Sequence, residues 1–282
     1  MSIEFGGKMS NYKISFIGGG NMAEAILSKA LSSGIASCDD ITVCDISKTR
    51  RIYLKEKYSV KAYELADEAA QSADIIFLAV KPQFFADAVG TFGEIFREKA
   101  VVSIMAGVSV KKIKDTIKSD CRVLRIMPNT PALVGAGMSV LCTETDLHDD
   151  ELAFVRSVFE ALGETEMLSE KYIDAVTGVS GSGPAYVYMF IEAMADAGVL
   201  NGLPRDIAYK LAAQTVLGAG KMVIDTKMHP GKLKDMVSSP GGTTIEAVAS
   251  LEKDGLRSAV INAVNACTNK SKTLGKTSNE EN

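Results

Sequence analysis

Six short apolar runs, each followed by a stretch with helical spacing, fill the chain from Lys13 to about Met167, and beyond that point such runs stop. Lys13 to Ile17, Ile41 to Cys44, Ile75 to Val80, Val101 to Ile104, Arg122 to Ile126 and Met138 to Cys142 are apolar through most of their length instead of alternating. Central strands covered on both faces read this way, and strands that alternate with helices build a parallel sheet between helical layers. The expectation is an α/β fold whose N-terminal part is a doubly wound parallel sheet. Past Lys171 the strand signals vanish, Ala, Met and Leu become dense, and Gly or Pro near Gly183, Gly202, Pro204, Pro230 and Gly255 punctuate helical segments. An all-α domain is therefore expected second. Its segments Ala185 to Leu200 and Arg205 to Ile224 are apolar over much of their circumference, more than a small domain hides by itself, so they predict a homodimer packed through helices. Burial within one subunit is the alternative. The chain's 282 residues suit two domains. The expected boundaries are an extension at 1–12, the sheet domain at 13–169, the helical domain at 170–270 and a polar, flexible tail at 271–282. Residues 1–8 ahead of Met9 are read either as native or as an addition before a natural start at Met9.

The first run leads directly into Gly18-Gly19-Gly20-Asn21-Met22-Ala23 and a helical pattern. This is the Gly-x-Gly-x-x-Gly/Ala fingerprint in the strand-to-helix setting that gives it meaning. Gly18 permits the tight turn, Gly20 lets a pyrophosphate approach the backbone, and Ala23 keeps helix and strand close, while the N-terminus of the helix favours the phosphate charge. Asn21 and Met22 supply the main chain between them. A second-strand acid, Asp45, ordinarily holds ribose hydroxyls and favours NAD, whereas Ser47, Lys48, Thr49, Arg50 and Arg51 offer donors to a 2′-phosphate. A basic pair opening a helix is also commonly a solvated face.

Ala79-Val80-Lys81-Pro82 puts a cation at the carboxyl edge of the sheet, the side on which such sheets bind ligands. Ala106-Gly107 and Met127-Pro128-Asn129-Thr130-Pro131 follow later strands in the same way, leaving room for a flat nicotinamide ring. Asn129 either orients the carboxamide of that ring or completes a turn. Near the other end, Asp235 to Ala247 carries Ser238, Ser239, Pro240, Gly241, Gly242, Thr243 and Thr244 just before an apolar helical pattern. Small hydroxyls, two glycines and a helix start make an anion pocket, although Ser and Thr before a helix often do no more than cap it.

A net charge of −4 gives no electrostatic reason to expect nucleic acid, and no apolar run reaches the length of a membrane span. Five scattered cysteines without Cys-x-x-Cys spacing are expected as reduced core residues, with no metal site, in a reducing cytoplasm.

Ala79 to Pro82, Met127 to Pro131, Gly181-Ser182-Gly183-Pro184-Ala185-Tyr186, Ala213-Gln214-Thr215 and Asp235 to Ala247 together resemble the pyrroline-5-carboxylate reductases, from about Lys13 to Thr268. The resemblance implies a Rossmann domain followed by a helical dimerisation domain, assembled in some members into a ring of five dimers. It implies reduction of 1-pyrroline-5-carboxylate, a cyclic imino acid, to L-proline. It assigns the carboxylate of the substrate to Ser239, Gly242, Thr243 and Thr244, and the ring nitrogen to the hydroxyl of Thr244, the residue expected to matter most for catalysis. The dinucleotide, NADPH with NADH as alternative, falls to the glycine turn, the loop after Asp45 and Ala79 to Pro82. Ile46 and Ala66 depart from polar residues common at these positions, which leaves the choice of cofactor open. Hydride attack on a protonated imine needs little acid catalysis, in keeping with only two histidines, His148 and His229, neither of them in a catalytic motif. A hydroxyacid dehydrogenase would need a lysine on the helix after the Gly-rich turn, and Pro184 to Ile191 has none. A redox sensor without turnover would have no use for the second-domain pocket.

Overall fold

The computed structural model describes residues 12–89 and 93–280. Eight strands form one sheet in the order β3-β2-β1-β4-β5-β6-β7-β8. They are β1 (Ile14–Ile17), β2 (Ile41–Cys44), β3 (Lys61–Tyr63), β4 (Ile75–Leu78), β5 (Ala100–Ser103), β6 (Arg122–Met127), β7 (Gly137–Cys142) and β8 (Gly163–Leu168). The first domain carries α1 (Asn21–Ser32), α2 (Lys48–Tyr58), α3 (Ala66–Ala70), α4 (Phe85–Val89), α5 (Val110–Ile117) and α6 (Asp149–Glu160). Each of the six expected strands is present within two residues of its expected ends.

Two strands went unread. β3 is three residues long with only Ala62 buried, and β8, Gly-Glu-Thr-Glu-Met-Leu, is an edge strand that exposes Glu164 and Glu166. Neither offers the apolar run that marked the others. The sheet is parallel except between β6 and β7, which run antiparallel. The connection from Pro128 to Ala136 is too short for the crossover that a parallel pair requires, about a dozen residues or more. The far longer path through α6 then makes β7 and β8 parallel.

Two apolar layers cover the sheet. Phe16 and Phe77 stack on one face with ring centroids 4.9 Å apart, beside Ile26 and Leu27 of α1 and Phe159 of α6. Ile17, Ile76, Val101 and Val123 face the other layer with Phe85, Phe96 and Ile113. Each such large side chain contributes about 1.5–3 kcal/mol on burial. Cys44 and Cys121 lie in the second layer and Cys142 in a smaller cluster with Met127, Val140 and Ile173; all three are unpaired, and burial pushes their thiols up to about 11, 11 and 12, so they stay protonated and inert.

The remaining helices are α7 (Ile173–Val176), α8 (Gly183–Leu200), α9 (Arg205–Thr226), α10 (Pro230–Met236), α11 (Thr243–Lys253) and α12 (Leu256–Glu280). By packing, 182–266 form one compact unit and the other described residues form the second. Among the described residues no strand follows β8, and the segment to Gly181 packs with the sheet domain. The stretch expected as a tail, 271–282, continues α12 as far as Glu280. Ser271 at its start is buried and donates a 2.6 Å hydrogen bond to Asp174, a contact that composition alone did not reveal. Of the expected extension, only Tyr12 falls among the described residues.

α8 and α9 meet through small residues: Ala195, Ala208 and Ala212 are their only buried side chains. Their large apolar groups stand open, with Leu200 87%, Met189 70% and Ile224 66% exposed. The chain does not hide these helices by itself. No helix among the described residues is long and apolar enough to cross a membrane.

Candidate active site

Strand order reverses beside β1, between β2 on one side and β4 on the other, and at this switch point the carboxyl ends of the strands open into a cavity of about 500 Å³. Gly18, Gly20, Asp45, Ile46, Ala79 and Lys81 are among the residues lining it. The glycine turn is held from several sides. Gly18 sits at φ +99°, donates to the carbonyl of Cys44 at 2.8 Å, and has the carbonyl oxygen of Ala79 only 2.7 Å from where a Cβ would stand. Gly19 is buried and donates to Asp45 Oδ2 at 2.9 Å. Gly20 differs: nothing lies within 4 Å of its hypothetical Cβ.

Gly20 also caps α1 without any side-chain partner, and the N–H groups of Gly20, Asn21, Met22 and Ala23 find no acceptor among the described residues. Four successive donors before open space at a helix start form an anion seat, so the residues present fit the pyrophosphate of a dinucleotide. Asp45 accepts from Ser47 N at 2.8 Å as well as from Gly19, and an ionised carboxylate keeps capacity for a ribose hydroxyl beyond these two bonds. Ser47 caps α2 by accepting from Arg50 N, while Lys48 beside it is exposed. Ile46, 88% exposed, lines the cavity with Leu65, Ala66 and Phe84, an apolar wall suited to a flat base.

The two arginines weighed as phosphate donors are occupied elsewhere. Arg51 donates to the carbonyls of Asp45 and Ile46 and pairs with Glu64 at 2.6 Å. Arg50 donates to the carbonyls of Gly19 and Gly20 and pairs with Glu24 in the first turn of α1. Glu24, unremarked in the sequence, also accepts from Tyr53 and Tyr58 at 2.8 Å and from Lys57 at 3.0 Å. Arg50, Tyr53 and Lys57 share one face of α2 by their spacing, a legible sign, but nothing in the sequence says that this face meets α1. Burial raises the pKa of Glu24, yet the hydrogen bonds from Lys57, Tyr58, Arg50 and Tyr53 outweigh it and hold the group at about 2, below its ordinary 4.5. A carboxylate depressed in this way stabilises the fold above pH 4.5, and that contribution is lost as pH falls from there toward 2. Glu24→Gln is expected to lower the urea midpoint at pH 7, with the gap to wild type narrowing across this window. A gap constant with pH would refute the assignment.

At the other end of the sheet edge, Ala106 and Gly107 follow β5, with Gly107 at φ +73°. The Asn129 amide is engaged within the protein: Nδ2 donates to the carbonyl and Oγ of Ser180 at 3.2 and 3.3 Å, and Oδ1 accepts from Met138 N at 2.9 Å. Asn129 braces the turn. Behind it, the buried Arg125 pairs with Glu170 at 2.8 Å, and the same carboxylate oxygen accepts from Val110 N at the start of α5.

In the helical unit, Gly242 N donates to the carbonyl of Ser239 at 3.0 Å across a turn with Pro240 second and Gly241 third at φ +67°, the conformation that a Pro-Gly turn of this kind requires. Gly242 caps α11 without side-chain help, and the N–H groups of Thr243, Thr244 and Ile245 find no acceptor among the described residues. Ser238 spends its hydroxyl on the carbonyl of Lys234 at 2.8 Å, whereas Ser239 is exposed and Thr244 half-buried. Unpartnered N–H groups at a helix start make a second anion seat. Both histidines serve at helix starts: His229 Nδ1 accepts from Gly231 N, and His148 N donates to Glu151.

Known proteins resemble this chain along nearly its whole length. Residues 170–274 match the family described as pyrroline-5-carboxylate reductase dimerisation, and 13–107 match the one described as NADP oxidoreductase coenzyme F420-dependent. The pyrroline-5-carboxylate reductase of Escherichia coli is 48% identical over 265 residues, covering 94% of this chain and 98% of that protein. Its Arabidopsis thaliana counterpart is 41% identical, covering 94% and 96%. A crystal structure of Plasmodium falciparum pyrroline carboxylate reductase with NADP bound superposes with a TM-score of 0.87 at 33% identity, covering 95% of this chain and 99% of that one. With 48% identity over nearly the whole length of a named reductase, the chain belongs to the pyrroline-5-carboxylate reductase family.

Proposed function

We propose that this NAD(P)H-dependent oxidoreductase reduces 1-pyrroline-5-carboxylate to L-proline, the final step of proline synthesis, and that its two anion seats divide the work. The unpaired N–H groups from Gly20 to Ala23, before the open face of Gly20, are the observation that carries the cofactor half of this reading. They receive the pyrophosphate, with Gly18 setting the turn. Ser47 and Lys48, just after Asp45, take the ribose or its 2′-phosphate, and Ala79, Val80, Lys81 and Pro82 hold the dinucleotide from the end of β4. Ala106 and Gly107 leave room for the nicotinamide, and Asn129 keeps the neighbouring turn in shape. When bound, the dinucleotide supplies the hydride that reduces the imine carbon.

In the substrate half, Ser239, Gly242 and Thr243 hold the carboxylate at the start of α11. The Thr244 hydroxyl accepts from the protonated ring nitrogen, fixing the ring without supplying a strong acid. Orientation and exclusion of water are the protein's main contributions. The chain works as a homodimer, which covers the open faces of α8 and α9, and the domain limits of 13–169 and 170–270 follow this division. A ring of five dimers in the cytoplasm, binding neither nucleic acid nor membrane, is the larger assembly proposed. Light scattering distinguishes it from a free dimer.

Initial rates with the cyclic imine and each of NADPH and NADH test the reading. Saturable oxidation of at least one cofactor, with proline as the product, is expected; binding without turnover would instead mark a redox sensor.

A further inference from the structure

The glycine turn works as an anion seat only if its peptide planes face the right way. Glycine has no Cβ to bias those planes, so an unanchored Gly18-Gly19-Gly20 turn samples several orientations and would lose that freedom on binding. In a trans peptide the C=O and the following N–H point in opposite directions. Fixing the Gly19 and Gly20 carbonyls therefore fixes the N–H groups of Gly20 and Asn21, two of the four that lack acceptors. Arg50 makes both of these carbonyl contacts, through Nε to Gly19 and through Nη2 to Gly20 at 3.4 Å; the Gly20 carbonyl also accepts from Glu24 N at 2.9 Å, so the Gly19 plane is the one that depends most on Arg50. Its guanidinium is in turn paired with Glu24 and lies 4.9 Å from the centre of the Tyr53 ring. A planar fork locked at this many points is a brace, and its Nε and Nη2 donors already have acceptors.

Resting on the dinucleotide site proposed above, we propose that Arg50 is a positioning residue for the pyrophosphate, oriented by Glu24, and does not read the 2′-phosphate. The two roles leave different signatures. A residue that reads the 2′-phosphate affects NADPH alone, because NADH lacks that group. A brace on the turn affects both cofactors equally, since they share the pyrophosphate.

The experiment measures dissociation constants for NADPH and NADH by quenching of protein fluorescence or by calorimetry in wild type, Arg50→Gln and Arg50→Lys. The KM for the cyclic imine at saturating cofactor and the melting temperature are measured alongside. Arg50→Gln is expected to weaken both cofactors by the same factor, about tenfold, the size of a lost charged hydrogen bond, with the NADPH to NADH ratio and the imine KM unchanged. Arg50→Lys keeps the charge but not the fork, and is expected to recover only part of the loss. If the glutamine variant does not fold, the lysine variant reads the same ratio. Selective loss of NADPH would overturn the proposal by making Arg50 a phosphate ligand, and unchanged affinity for both would overturn it by making the brace irrelevant. A wild-type protein that binds neither dinucleotide would instead sink the reading of the site itself.

Discussion

Gly20→Val abolishes dinucleotide binding and turnover while leaving a folded protein. Gly20 has φ −68° and ψ −176°, an extended conformation open to a β-branched residue, and its Cβ would meet no protein atom within 4 Å. Gly is preferred over Val at a helix N-cap, so the expected stability loss is modest, about 1 kcal/mol. The branched side chain occupies the space before the four unpaired N–H groups, where a phosphate must approach. Affinity for either cofactor should fall at least about a hundredfold. Gly18→Val is the contrasting case: φ +99° is closed to a β-branched residue, and the Ala79 carbonyl stands 2.7 Å from the new Cβ. That protein should lose its fold. Circular dichroism and cofactor titration on both variants separate the two roles, and a Gly20→Val protein that still binds NADPH tightly would remove Gly20 from the site.

The contrast between these neighbouring glycines also shows how far the sequence could be read. Their presence after an apolar run named the turn, because spacing and context are local properties of the chain. Which glycine is packed and which is open depends on Ala79, Leu54 and Asp45, brought in from distant strands and helices. The same limit explains Arg50 and Arg51: a basic pair opening a helix reads as free charge until the carbonyls of the glycine turn and the carboxylates of Glu24 and Glu64 are seen to use it. Strands with continuous apolar sequence were visible, whereas β3 and β8 form only because a neighbouring strand offers them an edge. The open faces of α8 and α9 were legible for the opposite reason. An apolar circumference is a property of composition and period, and in the folded chain the large side chains of these helices indeed lack cover.

Thr244→Ala tests the substrate seat with the least disturbance elsewhere. Thr244 follows Gly242 and Thr243 at the start of α11, so its main-chain N–H points out of the helix end and survives the substitution. The carboxylate seat is therefore retained in large part, and only the hydroxyl is lost. Alanine favours the helix more than threonine does, so the melting temperature should not fall. If the hydroxyl orients the protonated ring nitrogen, its loss leaves the imine bound by the carboxylate but free to turn, which costs alignment in the transition state more than binding in the ground state. The expected result is a fall in kcat/KM of roughly 10- to 100-fold, carried mainly by kcat, with NADPH affinity unchanged. Thr244→Ser keeps the hydroxyl and should recover most of the rate. Turnover equal to wild type in the alanine variant would place the nitrogen contact on another residue, and equal losses in the serine and alanine variants would point to the methyl group and packing of the helix end instead.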